Sequence, residues 1–448
     1  MIFTDIYIPK RIKAVLDKLE QGGFEAYIVG GCVRDSILGN TPKDYDITTS
    51  ASPDEIKSCL SEYNTIDTGI KHGTVTVVSE GENVEVTTFR IDGEYSDHRH
   101  PESVRFSDKL SDDLSRRDFT INAMAYNPKT GLIDLFDGQK DLFCRKLRCV
   151  GEPASRFEED ALRIMRALRF SSELSFEIDA STASAIFKMK ELLKSVSQER
   201  LSKELVLLLT GRSPYNVLTR FSSVLAVIIP EILPCIGFDQ RSRYHSYDVW
   251  NHIAYSVEYS APLPDVRLAL LFHDIGKPQC FTMDDEGAGH FINHEKISAE
   301  IAEDVLKRMK FPTNTIKRVE NLIKYHYITP VDDHKVVRRL LSKVGEEDFF
   351  LLAEVMKGDN RAKQSFCFER VHTIDSMQNK AREIIAEDQC FKVSDLAVSG
   401  NDMISLGLNG ADIGKALEAL LDAVIGENAE NTRESLMSYA SQYIIEKN

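Results

Sequence analysis

A short apolar segment, Ala26–Val29, runs directly into the paired glycines Gly30 and Gly31, and KDYDITT follows at residues 43–49. The juxtaposition narrows the folds open to this part of the chain. It asks for a strand, a tight turn into a helix, and a second strand carrying acids. Asp44 and Asp46 stand two residues apart in a β-prone stretch, so their side chains share one face of the strand. Such a pair can hold one or two hard cations, which take oxygen ligands and bridge to phosphates. Asp-x-Asp alone is also common in solvated turns. The glycines alter the reading, because they let backbone N–H groups approach a phosphate at a helix start. Arg34 supplies a fixed cation for the same group. Together these residues read as a nucleotidyl-transfer site.

At 448 residues the chain is long enough for several domains. Over residues 1–140 short strands alternate with helices. Residues 45–48 read as a strand, and 73–78 and 84–89 alternate with period two across Glu80-Gly81-Glu82-Asn83, the pattern of a hairpin. Residues 119–126 suit either a buried strand or a helix. From about Glu158 the pattern is helical, with few strand signals after Cys149, and Pro262, Pro264, Pro278, Pro312 and Pro330 punctuate the middle of it. The expected fold class is α+β: a small head with a mixed sheet, then a long all-α remainder.

Composition excludes some roles. With 42% hydrophobic and 28% charged residues the chain is an ordinary soluble protein. No apolar run approaches the roughly 18 residues of a membrane span, and the N-terminus has no signal-peptide pattern, so a cytoplasmic location and no membrane partner are expected. The eight cysteines form no C-x-x-C pair, which fits reduced thiols and neither a disulfide frame nor a zinc site. A net charge of −15 argues against nucleic acid only if it is spread evenly. It is not: Arg116, Arg117, Arg145, Lys146, Arg148, Arg156, Arg163, Arg166 and Arg169 concentrate in one stretch, enough for a basic face.

Four further groups support the first site. Glu85 sits in a strand with Val84 and Val86 on the opposite face, either as a third acid facing the site or as an edge-strand charge. In RRDFTINAMA (116–125), Arg116 and Arg117 suit phosphates, while Asp118 and Asn122 suit a ribose hydroxyl. DGEYSDHRHPESV (92–104) has no burial period and reads as a mobile loop beside the site. EEDALRIMRALRF (158–170) reads as one helix on which Asp160, Arg163 and Arg166 recur every three residues as a polar ridge. That ridge fits an ordinary ion-pair face. It also fits an acceptor and a fork of donors able to read a Watson–Crick edge, accepting cytosine and adenine and rejecting guanine and uracil.

GGCVRD, KDYDITT, TGIKHGTV (68–75), VTTFR (86–90), RRDFTINAMA and EDALRIMRALRF stand in the order seen in class II bacterial tRNA nucleotidyltransferases, the CCA-adding enzymes, which the chain resembles over about residues 25–170 and on through QERLSKEL (198–205). The resemblance implies a polymerase-β-type head at 1–140, a helical neck and body at 141–240, and a helical, tRNA-binding tail at 363–448. It implies that Asp44 and Asp46 bind Mg²⁺ with Glu85 beside them. Gly30, Gly31 and Arg34 would hold the triphosphate, and Arg117, Asp118 and Asn122 the nucleotide. Asp160 and Arg163 would be the protein template for CTP and ATP, supported by Arg166 and Arg169. The partner would be the tRNA acceptor arm. Family members that add only CC lack the loop at 92–104, so its presence favours full CCA addition.

A second constellation follows. His273-Asp274 ends the apolar run 268–272 and precedes IGKP; His252 lies upstream, and His294, His326 and Asp359 downstream. A His-Asp pair leaving a buried helix is costly unless metal or hydrogen bonds satisfy it. The set resembles an HD-domain metal-dependent phosphohydrolase at residues 241–362, which implies Mn, Fe, Ni or Co on these six residues. The alternatives are a relict fold with satisfied core histidines, or a metal used only structurally. His245, His290 and His334 fit no such order and are expected at the surface. Two alternatives stay open: a partial enzyme adding only A or only CC, and a phosphohydrolase whose head merely binds RNA.

Overall fold

The computed structural model describes residues 6–93 and 103–447, and these form two compact units, Met1–Pro230 and Glu231–Asn448. The first unit opens with helix α1 (Lys10–Gln21), whose apolar stripe Ile12, Val15, Leu16 and Leu19 is buried at helical spacing. Strand β1 (Ala26–Val29) is buried at every position, as befits a central strand. It leads through Gly30 into α2 (Gly31–Ile37), then β2 (Asp46–Thr49) and α3 (Pro53–Cys59). Next come β3 (Asn64–Gly69), β4 (Thr74–Ser79) and β5 (Glu82–Thr88). The β4–β5 turn is Glu80-Gly81, both at positive φ (52° and 83°), the conformation a two-residue hairpin needs.

A separate pair, β6 (Arg90–Asp92) and β7 (Val104–Phe106), is antiparallel. The loop expected to be mobile joins these two strands, and its residues 94–102 lie outside the described residues. Helix α4 (Leu110–Ser115) then precedes β8 (Met124–Asn127) and β9 (Gly131–Asp134). The stretch 119–126 is therefore neither one strand nor one helix, but a 3-10 turn at Thr120–Asn122 followed by a strand. The seven-stranded sheet runs β3-β4-β5-β2-β1-β8-β9, and its β2–β5 pair is parallel with Asp46 opposite Glu85. Tyr27, Val29, Phe89, Leu110, Leu114 and Ala125 form a core under the sheet.

Beyond the head, α5 (Gly138–Phe143), α6 (Pro153–Glu159) and α7 (Leu162–Leu174) begin the helical part. Here one expectation fails. Residues 158–170 are not one helix, because Asp160 is extended (φ −138°, ψ 103°) and separates α6 from α7. Its carboxylate accepts the Leu162 N–H at 3.1 Å, a local bond that competes with helix continuation. Asp160 thus stands off the ridge that Arg163 and Arg166 share.

The second unit is helical, with Val249–Glu258, Pro264–Phe272, His294–Arg308, Thr313–Tyr325, His334–Val344, Glu346–Arg361 and Glu369–Ala386 as its main rods. The prolines punctuate as expected: Pro264 opens one helix and Pro312 caps another. One short antiparallel pair, Phe281–Met283 with Gly289–Phe291, interrupts it. Residues beyond 390 pack their own core around Met403, Leu420, Ile425 and Leu436. Among the described residues no helix is long and apolar enough to cross a membrane.

Candidate active site in the head and candidate metal centre

Asp44 precedes β2 and Asp46 begins it. Both keep solvent access while Tyr45 between them is buried, which is the alternation that turns the two carboxylates to one side. Glu85 completes the group from the neighbouring strand, directly across the parallel register from Asp46. The crowding is electrically costly. The Asp46 carboxyl is raised to about 6, first by desolvation and then by the charges of Glu85 and Asp44, with Arg117 opposing. Three acids converging without a matching set of cations are a donor set suited to Mg²⁺.

The other wall is basic. Asp44 and Asp46 share a cavity of about 670 Å³ with Gly30, Gly31, Arg34, Lys43, Arg117, Asp118, Asn122, Arg166, Arg169 and Phe170. Gly30 has φ 82°, a backbone shape that favours glycine, and a Cβ there would crowd Arg117 Nη1 at 3.1 Å. Arg34 donates to Asn122 Oδ1 (2.8 Å), and Asn122 Nδ2 donates to Asp118 Oδ1 (3.2 Å). Arg166 donates twice to Asp118 Oδ2, at 2.9 and 2.6 Å. Phe119 N–H fills the remaining position on Oδ1. Asp118 thereby spends its acceptor capacity inside the protein; it organises Arg166 and Asn122, whereas a free ribose acceptor was expected. Burial pushes its carboxyl up, but the Arg166 guanidinium wins and holds it at about 2. Arg34, Arg166 and Arg169 all lie against the Phe170 ring, with guanidinium carbons 5.2, 5.3 and 4.1 Å from its centroid.

Asp160 and Arg163 are placed differently. Neither is among the described lining residues of this cavity. Asp160 pairs with Arg200 (3.0 Å), while Arg163 donates to Glu159 (2.6 Å) and to the carbonyls of Arg156 and Arg116. The partners Glu159 and Arg200 were not read from the sequence, although an i,i+4 Glu-Arg spacing was available for the first.

In the second unit His252, His273, Asp274 and Asp359 are buried together. Ligand atoms of His252, His273 and Asp274 form one group within 4.8 Å, and those of Asp274, His294 and His326 another. Each imidazole offers its Nδ1 to a carbonyl: His273 to Leu270 (2.8 Å), His294 to Phe291 (2.8 Å), His326 to Ile323 (2.6 Å) and His252 to Ala362 (3.4 Å). A carbonyl only accepts, so each Nδ1 carries the proton and each Nε2 is turned toward the acids, the tautomer a metal ligand needs. Burial pushes His273 down, yet Asp274 and Asp359 raise it to about 9, while His326 falls to about 3. The acids demand a cation, and without metal a proton on His273 answers them. The residues fit a transition ion bound through nitrogen and oxygen.

Glycine positions Asp359. A Cβ on Gly358 would lie 2.7 Å from Leu270 Cδ1 and 2.9 Å from Ser256 O, so Glu346–Arg361 can sit this close to its neighbours only with glycine there. His245 is a correction. It was expected at the surface, but its ring stands edge-on to His252 at 4.5 Å, and it lines a 300 Å³ cavity with Asp274, Lys277, Asn360, Lys363 and Arg370. His290 is exposed and bonded to Asp284, as a surface histidine should be. Lys277 pairs with Asp274 (2.6 Å) and Lys363 with Asp359. Both lysines went unread because lysine carries no periodic signal of burial.

Residues 26–148 match the family model described as Poly A polymerase head domain, 175–235 that of the Probable RNA and SrmB-binding site of polymerase A, and 284–440 tRNA nucleotidyltransferase domain 2. A CCA-adding enzyme of Lactobacillus helveticus is 33% identical over 444 residues, 97% of each chain. That of Levilactobacillus brevis is 51% identical over 207 residues, a match spanning 46% of this chain and about half (52%) of the relative's length. The Bacillus stearothermophilus CCA-adding enzyme, solved in complex with CTP, shares the fold with a TM-score of 0.73 at 28% identity, over 98% of both chains. A basic, glycine-floored cavity lined by Asp44 and Asp46, on a chain aligned almost end to end with a CCA-adding relative, leads to one conclusion: this chain belongs to the family of bacterial CCA-adding tRNA nucleotidyltransferases.

Proposed function

We propose that this chain adds the 3′-terminal CCA to tRNA from CTP and ATP without a nucleic-acid template. The observation that carries the reading is a cavity lined by Asp44 and Asp46, floored by Gly30 and Gly31 and walled by arginines, with Glu85 across the parallel register from Asp46. Asp44 and Asp46 would hold Mg²⁺, which when bound neutralises phosphate charge and favours loss of the hydroxyl proton. Arg34 and Arg117 take the triphosphate. Glu85 keeps a carboxylate beside the attacking 3′-hydroxyl, which displaces pyrophosphate from the α-phosphorus in line. Arg166 and Arg169, stacked on Phe170, close the nucleotide end of the cavity.

Selection of C and A falls to Asp160 and Arg163, an acceptor and a donor matching the amine and ring nitrogen those bases share. In this role Asp160 exchanges Arg200, and Arg163 exchanges Glu159, for the base. The test uses tRNA ending at its discriminator base, offered CTP, ATP or both. Growth by CCA supports the reading; growth by A alone or CC alone makes this a partial enzyme.

The histidine centre favours a second reading for the other unit. His252, His273, Asp274, His294, His326 and Asp359 would bind Mn, Fe, Ni or Co, which when bound supplies a hydroxide for phosphoester hydrolysis. Metal analysis of the purified protein with and without His273→Ala tests it. An unchanged metal content discards the site.

A further inference from the structure

Asp113 belongs to no motif and lies outside the cavity wall, yet it is among the most completely buried acids of the head. Its side chain is 0% exposed. One oxygen accepts from Arg116 Nε at 3.0 Å and pairs with the Nη2 of the same side chain at 2.5 Å. The other accepts from Arg117 Nη2 at 3.1 Å and from the Thr48 hydroxyl at 3.2 Å. Thr48 sits on β2 two residues beyond Asp46, so one carboxylate ties the acid-bearing strand to both arginines.

What this does to Arg117 is specific. Its Nη2 is held at the back by Asp113, and its Nη1 stands 3.1 Å from the Cβ position that Gly30 leaves empty, at the floor of the cavity. A guanidinium has rotamer freedom to lose, and one held at a single terminal nitrogen presents the other already aimed. Two cations behind one buried carboxylate also explain why that acid stays ionised in spite of its burial. The node reaches further. Arg163 donates to the Arg116 carbonyl at 2.9 Å, Arg156 to the Ser115 carbonyl at 3.1 Å, and Arg116 pairs with Asp92 at 3.6 Å.

We propose that Asp113 is a positioning residue for nucleotide binding: it orients Arg117 so that the free guanidinium edge meets the triphosphate over Gly30. The proposal rests on the nucleotidyl-transfer reading of the head. Asp113 touches no reacting atom, so its loss should appear in binding and not in turnover at saturation.

The test is CTP affinity by calorimetry on the full chain with Mg²⁺, together with KM and kcat for tRNA extension. Asp113→Asn should weaken CTP roughly tenfold, the worth of an oriented charged hydrogen bond, and raise KM in step, with kcat little changed. In an Arg117→Ala background the same substitution should do almost nothing, which a general structural defect would not reproduce. Should Asp113→Asn fail to fold, Thr48→Val removes only the hydroxyl donor. It should loosen CTP by a smaller factor that likewise vanishes in the Arg117→Ala background. Unchanged CTP affinity, or an equal loss with and without Arg117, overturns the positioning role. If the unsubstituted protein neither binds CTP nor extends tRNA, the nucleotidyl reading itself falls.

Discussion

In the head, Asp46 lies beside Glu85 and Asp44, and its carboxyl is held up at about 6. In the helical half, Asp274 and Asp359 lie among imidazoles and lysines and stay well below the usual carboxylate range. The first group keeps solvent access and lacks enough positive charge of its own. The second is buried and balanced by Lys277, Lys363 and a charged His273. The difference teaches how each would treat a cation. An open, under-compensated acid cluster is completed by whatever arrives with its substrate, so its ion should exchange freely. A buried centre whose tautomers are already set by backbone carbonyls should hold a resident ion.

The largest effect that could break this contrast is catalytic. Asp44→Ala or Asp46→Ala should lower CCA addition by roughly a thousandfold, the several kcal/mol that metal-held charge contributes to the transition state. His273→Ala should leave addition rates within about twofold, since among the described residues the two clusters share no partner. Primer-extension assays on all three variants decide it. Comparable losses from both clusters would make the centres one functional unit.

Next in size is stability. Asp274→Ala strips the buried Lys277 of its paired carboxylate and leaves the buried, charged His273 with Asp359 alone, and breaking a buried pair from one side costs about 3 kcal/mol or more. Denaturant unfolding of metal-free protein should show that loss. The same measurement on Asp44→Ala should show little or none.

The two sites were also unequally legible. Asp44, Asp46 and Glu85 are readable because strand alternation sorts side chains at short range, but the parallel register that sets Glu85 against Asp46 depends on strands far apart in the chain. The histidine centre is readable as residue types in order, whereas its construction is not. Nothing local announces that Gly358 permits the helix approach, or that His245 turns inward. Asp113 hides among the acids of a short helix. The break at Asp160 could have been found, since an acid just before an apolar helical run is a recognised helix start. It was overridden by the three-residue recurrence of Asp160, Arg163 and Arg166.

A smaller effect sharpens the electrostatic half of the contrast. Asp118 titrates near 2 in the folded protein against 3.8 for a free side chain. A depressed carboxyl contributes stability that is fully present above about pH 4 and is lost as pH falls through 2. Asp118→Asn should therefore cost about 2 kcal/mol at pH 7 and almost nothing at pH 2. Unfolding curves for the two proteins across that range should converge at the acid end.

The last effect has the opposite sign, and because Asp46 is exposed, solvent screening makes it the smallest. Because Asp46 binds its proton more tightly folded than unfolded, it makes the metal-free native state less stable as pH rises from about 4 through 6. Asp46→Asn removes the penalty along with the charge. In chelator, the variant should melt a few degrees above the unsubstituted protein at pH 7.5 and level with it at pH 4. Saturating Mg²⁺ with CTP should reverse the order at pH 7.5, because the ligand stabilises only the protein that keeps its acid. A variant that melts lower at every pH would mean that Asp46 is a structural acid, and the strain ascribed to the open cluster would have to reside elsewhere.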